Sequence, residues 1–456
     1  MSDSPKILVS SCYVGTTGFN NHSRDFFRKL SKYYPLKVRN FTVPKYWKGI
    51  KDEPFNEEPY ILDLDKKLIT SQTSFKDDKT LHDTEIYKNY PNNFNHNLNL
   101  VLAEVNHHYF YQIYEGPKIA YLVWETTEYP KSFYNRIKEF DQIWVPSQWQ
   151  KECNVIQGIP EHKIKVVPEA VDGEIFKPNK EATLPEYDDG RFKFIHFGRW
   201  DYRKSTKEVI ESFLNEFDKD EPVDLIISID NMFAKDGFET TEERLKHYNL
   251  IDPRIKVKHF PTREEYIKYL QKGHVFLSCA RSEGWNLPLI EAMACGTPSI
   301  YSNCSAQLEF AQGKGLPVDI LGTQPAIRGE YSTYSQSELS GEFYVPDFNH
   351  LKEVMRDAYD NYDHHKKTAL KESKELRKKF TWENMAKIAS KEIDSFIKNP
   401  PKNRIEISFN QGVKLEVFGS NKEEYFVEFI NSDTDKVVHS STIKNNMWTK
   451  CNHEYY

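Results

Sequence analysis

The stretch Ser282-Glu283-Gly284-Trp285-Asn286-Leu287-Pro288-Leu289-Ile290-Glu291-Ala292-Met293-Ala294-Cys295-Gly296-Thr297-Pro298 decides how this chain is read. An apolar run, Val275-Phe276-Leu277, leads into a small polar loop, Ser278-Cys279-Ala280-Arg281-Ser282, and predicts a strand that ends just before the Glu283 carboxylate. A helix then begins. Asn286 suits its N-cap, and Pro288 is tolerated only in a first turn, where a missing N–H costs nothing. Gly296-Thr297-Pro298 stops the helix, and Ser299-Ile300-Tyr301 predicts the next strand. A helix N-terminus at the end of a strand presents free N–H groups and a positive dipole end, which suits a phosphate. Glu283 precedes that terminus and Glu291 lies about one turn inside the helix. One acid meets a bound ligand near the phosphate and the other meets it further along. Any strand–loop–helix unit explains the glycine and the proline, but not two acids at this spacing.

Working outward, Arg191-Phe192-Lys193-Phe194-Ile195-His196-Phe197 predicts a strand that opens into Gly198-Arg199-Trp200-Asp201-Tyr202-Arg203-Lys204-Ser205, with a helix over 206–217. A forked guanidinium plus a compact ammonium suits a pyrophosphate. The plain alternative for Arg199 and Lys204 is a solvated strand end, and Arg203 competes for the same role. Strands over 225–230, 255–260 and 274–277, alternating with helices, give a doubly wound pattern.

The amino-terminal half repeats that pattern more faintly. A strand over 6–11 runs into Cys12-Tyr13-Val14-Gly15-Thr16-Thr17-Gly18-Phe19 and a helix over 21–33. Glycines between a strand and a helix let a ligand approach the backbone closely. Residues 45–97 are polar, with acidic clusters and asparagine-rich pieces, and predict irregular structure. Strands resume over 98–105, 119–124, 141–147 and 164–168, with a helix starting at Trp149.

At 456 residues the chain is too long for one compact core. A mean hydropathy of −0.71, with no apolar run of about eighteen residues, gives no candidate membrane span. The start, Met1-Ser2-Asp3-Ser4-Pro5, lacks the basic and apolar regions of a signal peptide. A net charge of −6 argues against a nucleic-acid partner. Cys12, Cys153, Cys279, Cys295, Cys304 and Cys451 show no metal-type spacing and read as reduced, mostly buried thiols of a cytosolic protein.

The two acids, with Glu-Gly before and Glu-Ala-Met-Ala-Cys-Gly after, resemble glycosyltransferase family 4, retaining nucleotide-sugar enzymes of the GT-B fold. Gly198-Arg199 followed by Lys204 resembles that family's diphosphate grip, with Ser205 where a glycine is usual. Trp124-Glu125-Thr126-Thr127, Val145-Pro146-Ser147, Val171-Asp172…Phe176-Lys177-Pro178 and Phe380-Thr381-Trp382-Glu383 resemble further segments of it, so the likeness covers about residues 1–398. It implies an α/β fold of two doubly wound Rossmann-like domains facing a cleft. The expected division is 1–175 for the acceptor side, 176–380 for the donor nucleotide, 381–400 for a crossover helix returning to the first domain, and 401–456 for a β-rich tail of alternating antiparallel strands. By carry-over, Glu283, Arg199 and Lys204 are catalytic, Glu125 joins them as a candidate at a point where the chain departs from the family, and Gly15, Gly18, Gly284, Trp285, Asn286, Leu287 and Glu291 bind the donor, with Glu291 on its ribose.

The resemblance implies a hexosyltransferase of polysaccharide biosynthesis that uses a UDP- or GDP-sugar. The acceptor is a glycan or lipid-linked hydroxyl, with no metal and no cofactor. Glu283→Ala and Lys204→Ala are expected to fold and to lose transfer. Where many relatives place a histidine, this chain has Trp124-Glu125; Glu125, Glu128, His107 and His108 are candidates for that polar role, the histidine pair reading more simply as structural. His196 reads as a satisfied core residue. The basic groups Arg24, Arg28, Lys29 and Lys32, and Lys366 to Lys379, read as solvated helix faces, with attraction to an inner membrane surface as the alternative. Two rival functions remain: a catalytically silent scaffold of the same fold, and a nucleotide-sugar epimerase or hydrolase.

Overall fold

The structure, a computed structural model, describes residues 5–13, 18–40, 96–103, 105, 116–184, 189–231, 236–260, 262–329, 338–399, 403–408, 413–421, 424–431 and 436–444. Gly15, His107, His108, Cys451 and the irregular region of 45–95 lie outside them.

The first half holds β1 (Ile7–Ser11), α1 (Gly18–Leu30), β2 (Leu36–Asn40), β3 (Leu98–Leu102), β4 (Lys118–Tyr121), α2 (Lys131–Ile137), β5 (Gln142–Val145), α3 (Gln148–Ile156) and β6 (Ile164–Val166). The strands form one sheet in the order β2-β1-β3-β4-β5-β6, every neighbouring pair parallel. Strands such as Ile7-Leu8-Val9-Ser10-Ser11 are buried at every position, as a sheet covered on both faces requires. One face carries Val9, Leu100 and Tyr121 under Phe26 and Phe27 of α1; the other carries Ala120, Ile143 and Val145 under Phe133 and Ile137 of α2. The first helix starts and ends three residues earlier than the sequence pattern predicts, and β2 was not predicted, because Leu36-Lys37-Val38-Arg39-Asn40 is too short and too charged to stand out.

The second half holds β7 (Phe192–Phe197), α4 (Thr206–Glu216), β8 (Val223–Ser228), α5 (Thr241–His247), β9 (Ile255–Val257), α6 (Arg263–Lys272), β10 (Val275–Ser278), α7 (Leu287–Ala294), β11 (Ser299–Ser302), α8 (Leu308–Ala311) and β12 (Leu316–Val318). Its sheet runs β12-β11-β10-β7-β8-β9, again all parallel. An antiparallel hairpin follows, β13 (Ile320–Pro325) with β14 (Glu342–Pro346), then α9 (Phe348–Asp360), α10 (Tyr362–Lys379) and α11 (Trp382–Lys398). The hairpin was not predicted from sequence.

Thr381 caps α11 by accepting from the Asn384 N–H, and that helix packs on α1 of the first half. Tyr34 there donates to the Ser390 carbonyl and to Asp394, each at 2.8 Å. The chain thus crosses between the halves twice, and the two crossings meet where the Val171 N–H donates to the Phe380 carbonyl at 3.0 Å. The tail is a four-stranded antiparallel meander, β15 (Asn403–Ser408), β16 (Val413–Asn421), β17 (Glu424–Asn431) and β18 (Lys436–Lys444). Among the described residues, no helix is long and apolar enough to cross a membrane.

In each sheet the strand order reverses beside the first strand of that half, β1 between β2 and β3, and β7 between β8 and β10. In an open parallel sheet a ligand crevice lies at such a switch point, outside the carboxyl ends of the strands. The loops leaving β7 and β10 there are Gly198–Ser205 and Cys279–Asn286, the two segments that the sequence singles out.

Candidate active site

The loop after β7 is tied down before it offers any side chain. Trp200 is fully buried and stacks on Tyr248, and its N–H donates to the Ile229 carbonyl at 2.8 Å. Asp201 accepts from the Arg203 N–H at 2.9 Å, and the Arg203 carbonyl accepts from the Arg281 N–H at 2.7 Å. From β13, Gln324 donates to the Tyr202 hydroxyl at 2.8 Å. Ser205 then takes φ 52° and ψ 33°, a left-handed conformation that glycine adopts without strain.

Held this way, Arg203 and Lys204 close on Glu283. Arg203 donates from Nη1 to Glu283 Oε2 at 2.7 Å and to the Ser282 carbonyl at 2.7 Å, and Lys204 Nζ pairs with Glu283 Oε1. The Glu283 N–H donates to Ser305 Oγ at 3.0 Å, which fixes the backbone beneath the carboxylate. From the first half, Glu125, just past β4, brings Oε1 to 3.6 Å from Arg203 Nη2. The charge of Arg199 acts on both Glu125 and Lys204. The structure therefore brings together all four residues expected to be catalytic, and Arg203 and Lys204 contact Glu283 directly.

Charge and burial set the protonation of this cluster. Burial works to raise the Glu283 carboxyl, but Arg203 and Lys204 outweigh it and hold the group below the ordinary glutamate range. Burial pushes the Lys204 ammonium down, helped by the nearby Arg203 and Arg199 and opposed by Glu283. Glu125 is raised by burial, against the pull of Arg203.

The residues around the start of α7 divide by role. Asn286 occupies the N-cap position, but in a left-handed conformation (φ 87°) and without capping the helix. Its amide instead donates to Ser278 Oγ at 2.9 Å and to Gln307 Oε1 at 2.7 Å. The expected cap is thus a loop brace, and its side chain does not cap the helix. The Trp285 side chain, expected at the donor, is core: 1% exposed, with its ring 5.1 Å from Phe310 and 5.8 Å from Phe380. What Trp285 offers a ligand is its backbone N–H.

A Cβ at Gly284 would stand 2.5 Å from Val123 Cγ1 and 3.0 Å from the Trp124 carbonyl, so only glycine lets the two halves approach here. Gly18, the first residue of α1, faces Leu287, the first of α7, across the same seam. Glu291 is buried, accepts from the Tyr266 hydroxyl at 2.6 Å, and is raised to about 7 by burial against the pull of Arg263.

Several site residues escaped the sequence. Glu169, three residues past β6, is 3% exposed and raised to about 8 by burial and then by Glu125 and Glu283; it lies 3.5 Å from His22 Nδ1. His22, on α1, is 1% exposed and held to about 3 by burial, so it is neutral. Glu169 stands beside the Val171-Asp172 segment that the sequence flagged, while His22, Tyr266 and Arg263 had no local signal. His196 donates from Nδ1 to the Leu277 carbonyl at 2.9 Å, whereas its Nε2 has no protein partner, so it is a core residue satisfied at one nitrogen. Arg24, expected on a solvated face, is buried and donates to the Tyr13 carbonyl at 3.0 Å. Glu128 is exposed, which leaves Glu125 as the carboxylate of that segment at the cleft.

Two facing Rossmann-like sheets, a crossover helix and a charged cluster at the switch point define a GT-B protein. More particularly, residues 177–314 match the family model described as glycosyl transferases group 1, so the chain carries a glycosyltransferase group 1 domain. Among curated relatives, a "probable sucrose-phosphate synthase" of Thermosipho melanesiensis is 27% identical over 49% of this chain and 46% of its own. The chain spans about half or less of the length of the curated relatives it matches. Among solved structures, a sucrose-phosphate synthase from Thermosynechococcus elongatus is similar over 87% of this chain and 100% of its own, with TM-score 0.64 and 17% identity. Anabaena HepE, solved in complex with UDP-glucose, is similar over 86% of this chain and 100% of its own, with TM-score 0.60 and 13% identity. These structural likenesses establish the fold.

Proposed function

We propose that this chain is a retaining glycosyltransferase of the family 4 type. It would move a sugar from a UDP- or GDP-sugar to a hydroxyl of a glycan or lipid-linked acceptor, without a metal ion. The observation that carries this reading is Glu283 gripped by Arg203 and Lys204 at the switch point, beside the uncapped start of α7. A carboxylate that can meet sugar hydroxyls, cations that can meet a diphosphate and a helix terminus that favours an anion then lie within one loop pair. The UDP-glucose held by HepE favours the UDP-sugar among donors.

In this reaction the bond from the anomeric carbon to the diphosphate oxygen breaks while the acceptor oxygen bonds the same carbon from the same face. The acceptor's hydroxyl proton passes to the departing diphosphate. Charge grows on that leaving oxygen, so the protein's work is to stabilise it and to hold both sugars in place. Lys204 and Arg199 supply the countercharge that a metal supplies elsewhere, and the N–H groups of Gly284, Trp285 and Leu287 add dipoles. Released from Lys204, Glu283 turns an oxygen to the donor-sugar hydroxyls, while Glu291 meets the ribose. Gly18 leaves room for the diphosphate on the opposite side. The scaffold alternative loses ground because packing alone demands neither Lys204 nor the acids, and an epimerase or hydrolase differs in needing no acceptor.

The test is a donor screen: UDP-glucose, UDP-galactose, UDP-N-acetylglucosamine and GDP-mannose with mixed saccharide acceptors, read as nucleotide release and as product anomer by NMR. Acceptor-dependent release with the donor's anomeric configuration kept is expected. Inverted product, or release that ignores every acceptor, would sink the retaining-transferase reading.

A further inference from the structure

Past β6 the chain turns back over the carboxyl ends of the first sheet. The Val167 N–H donates to the Val145 carbonyl at the end of β5, at 2.9 Å, and the Val167 carbonyl accepts from the Tyr121 hydroxyl at the end of β4. The Val171 N–H then reaches the Phe380 carbonyl at 3.0 Å. Glu169, between these ties, is carried from the edge of the sheet to α1, where its Oε2 stands 3.5 Å from His22 Nδ1. The imidazole is itself fixed among rings, with the centroids of Tyr121, Trp382 and Phe26 at 4.9, 5.1 and 5.8 Å from its own.

The Glu169 side chain is 4% exposed, yet among the described residues none donates a hydrogen bond to its carboxyl and no lysine or arginine pairs with it. The charged neighbours that act on it are two more carboxylates, Glu125 and Glu283. The cations of that cluster, Arg203 and Lys204, are already engaged by Glu283. A carboxyl buried beside two others, with a neutral imidazole as its only near partner, keeps its proton at neutral pH. In that form it both donates and accepts hydrogen bonds. Leaving both capacities unused in a buried place is costly, so the group suits a partner that arrives from solution. A sugar hydroxyl, donor and acceptor at once, satisfies both. A phosphate or carboxylate offers acceptors alone, and would stand against Glu125 and Glu283.

We propose that Glu169 is an acceptor-binding residue whose carboxyl exchanges hydrogen bonds with a hydroxyl of a neutral saccharide, and that His22 is the positioning residue which orients it. This role rests on the transferase reading for the identity of what binds there. Glu169 takes no part in breaking the bond to the diphosphate; it selects and places the molecule that attacks.

The test uses the full chain, with and without millimolar UDP, and glucose, galactose, mannose, maltose and sucrose as probes, followed by saturation-transfer NMR. The proteins are the wild type, Glu169→Gln, which keeps a donor and an acceptor, and Glu169→Met, which keeps the bulk and loses both. At least one saccharide should bind the wild type, bind Glu169→Gln within about threefold, and bind Glu169→Met at least about tenfold more weakly, with UDP affinity kept. Raising the pH from about 7 to about 9 should weaken saccharide binding to the wild type more than to Glu169→Gln, because only the wild type loses the Glu169 proton. The other groups that face it, His22 on α1, Tyr121 on β4, Glu125, Arg203, Lys204 and Glu283, are common to both proteins, so the difference between the profiles belongs to Glu169. That comparison needs only the glutamine variant, and it decides even where Glu169→Met does not fold. Undiminished binding by Glu169→Met, a loss as large in Glu169→Gln, or identical pH profiles would overturn the proposal. So would a wild type that binds none of the saccharides. Failure of the transferase reading would show separately, as absence of UDP binding by the wild type.

Discussion

Ser205 is the residue at which this chain departs most plainly from a family-like pattern, and the departure is physical. Its φ of 52° lies where a Cβ is strained, and its buried Oγ has no hydrogen-bond partner in the protein. Ser205→Gly should relieve both, raising stability by about 0.5–1 kcal/mol in urea denaturation, with activity kept. A loss of stability would mean that the hydroxyl has a partner in solution. At Glu283 the structure attaches a stability cost to the alanine variant. Removing that carboxylate strands Arg203 and Lys204 in a buried site, a change that typically costs about 3–5 kcal/mol. Glu283→Gln keeps the shape and is the sharper probe. Lys204→Ala should lower kcat by about 10²–10³-fold, as the loss of one preorganised charge-stabilising group does; a rate within threefold of wild type would remove Lys204 from the leaving-group site.

Elements explain why some residues were legible and others were not. The helix over Leu287–Ala294 and the strand before it were readable, because Pro288 and the Gly296-Thr297-Pro298 stop are local signals. Asn286 departs from its expected N-cap role because its side chain is drawn to Ser278 and Gln307, partners that only the folded loop supplies. Trp285 was placed at the donor for its position in the motif, whereas its size sends the ring to the core against Phe310 and Phe380. The bridges from Arg263 to Asp25 and from Arg203 to Glu125 join residues far apart in the chain, so no spacing rule exposes them. Gly284 was readable as a glycine but not as a seam. An alanine Cβ would sit 2.5 Å from Val123 Cγ1, so Gly284→Ala should wedge the halves apart and cut turnover far more than it lowers Tm. Comparable fractional losses in both would place the effect on folding rather than on apposition.

At the scale of the whole molecule, buried acids tie stability to pH. Glu169 and Glu291 are raised by burial from an ordinary 4.5 to about 8 and about 7. The folded chain therefore holds protons that the unfolded chain has lost, and stability falls as pH rises from 4.5 through those values, by at most about 1.4 kcal/mol per unit for each group. His22 and His196, lowered by burial from 6.5 to about 3 and about 4, act in the opposite sense, but only below 6.5. Between pH 6.5 and about 7.5 the glutamates decide, before the half-buried Lys366 ammonium, lowered to about 8, opposes them, so Tm should decline across that window and decline less in Glu169→Gln. Equal slopes would show Glu169 ionised throughout.

All of this hangs on one claim, that the cluster of Arg199, Arg203, Lys204 and Glu283 at the switch point is built for a nucleotide diphosphate. Calorimetric titration of UDP into the wild-type chain and into Lys204→Ala tests it most directly. Saturable binding by the wild type is expected, weakened at least about tenfold in Lys204→Ala by the loss of one charge-assisted contact. UDP that binds both proteins equally, or neither, would contradict it.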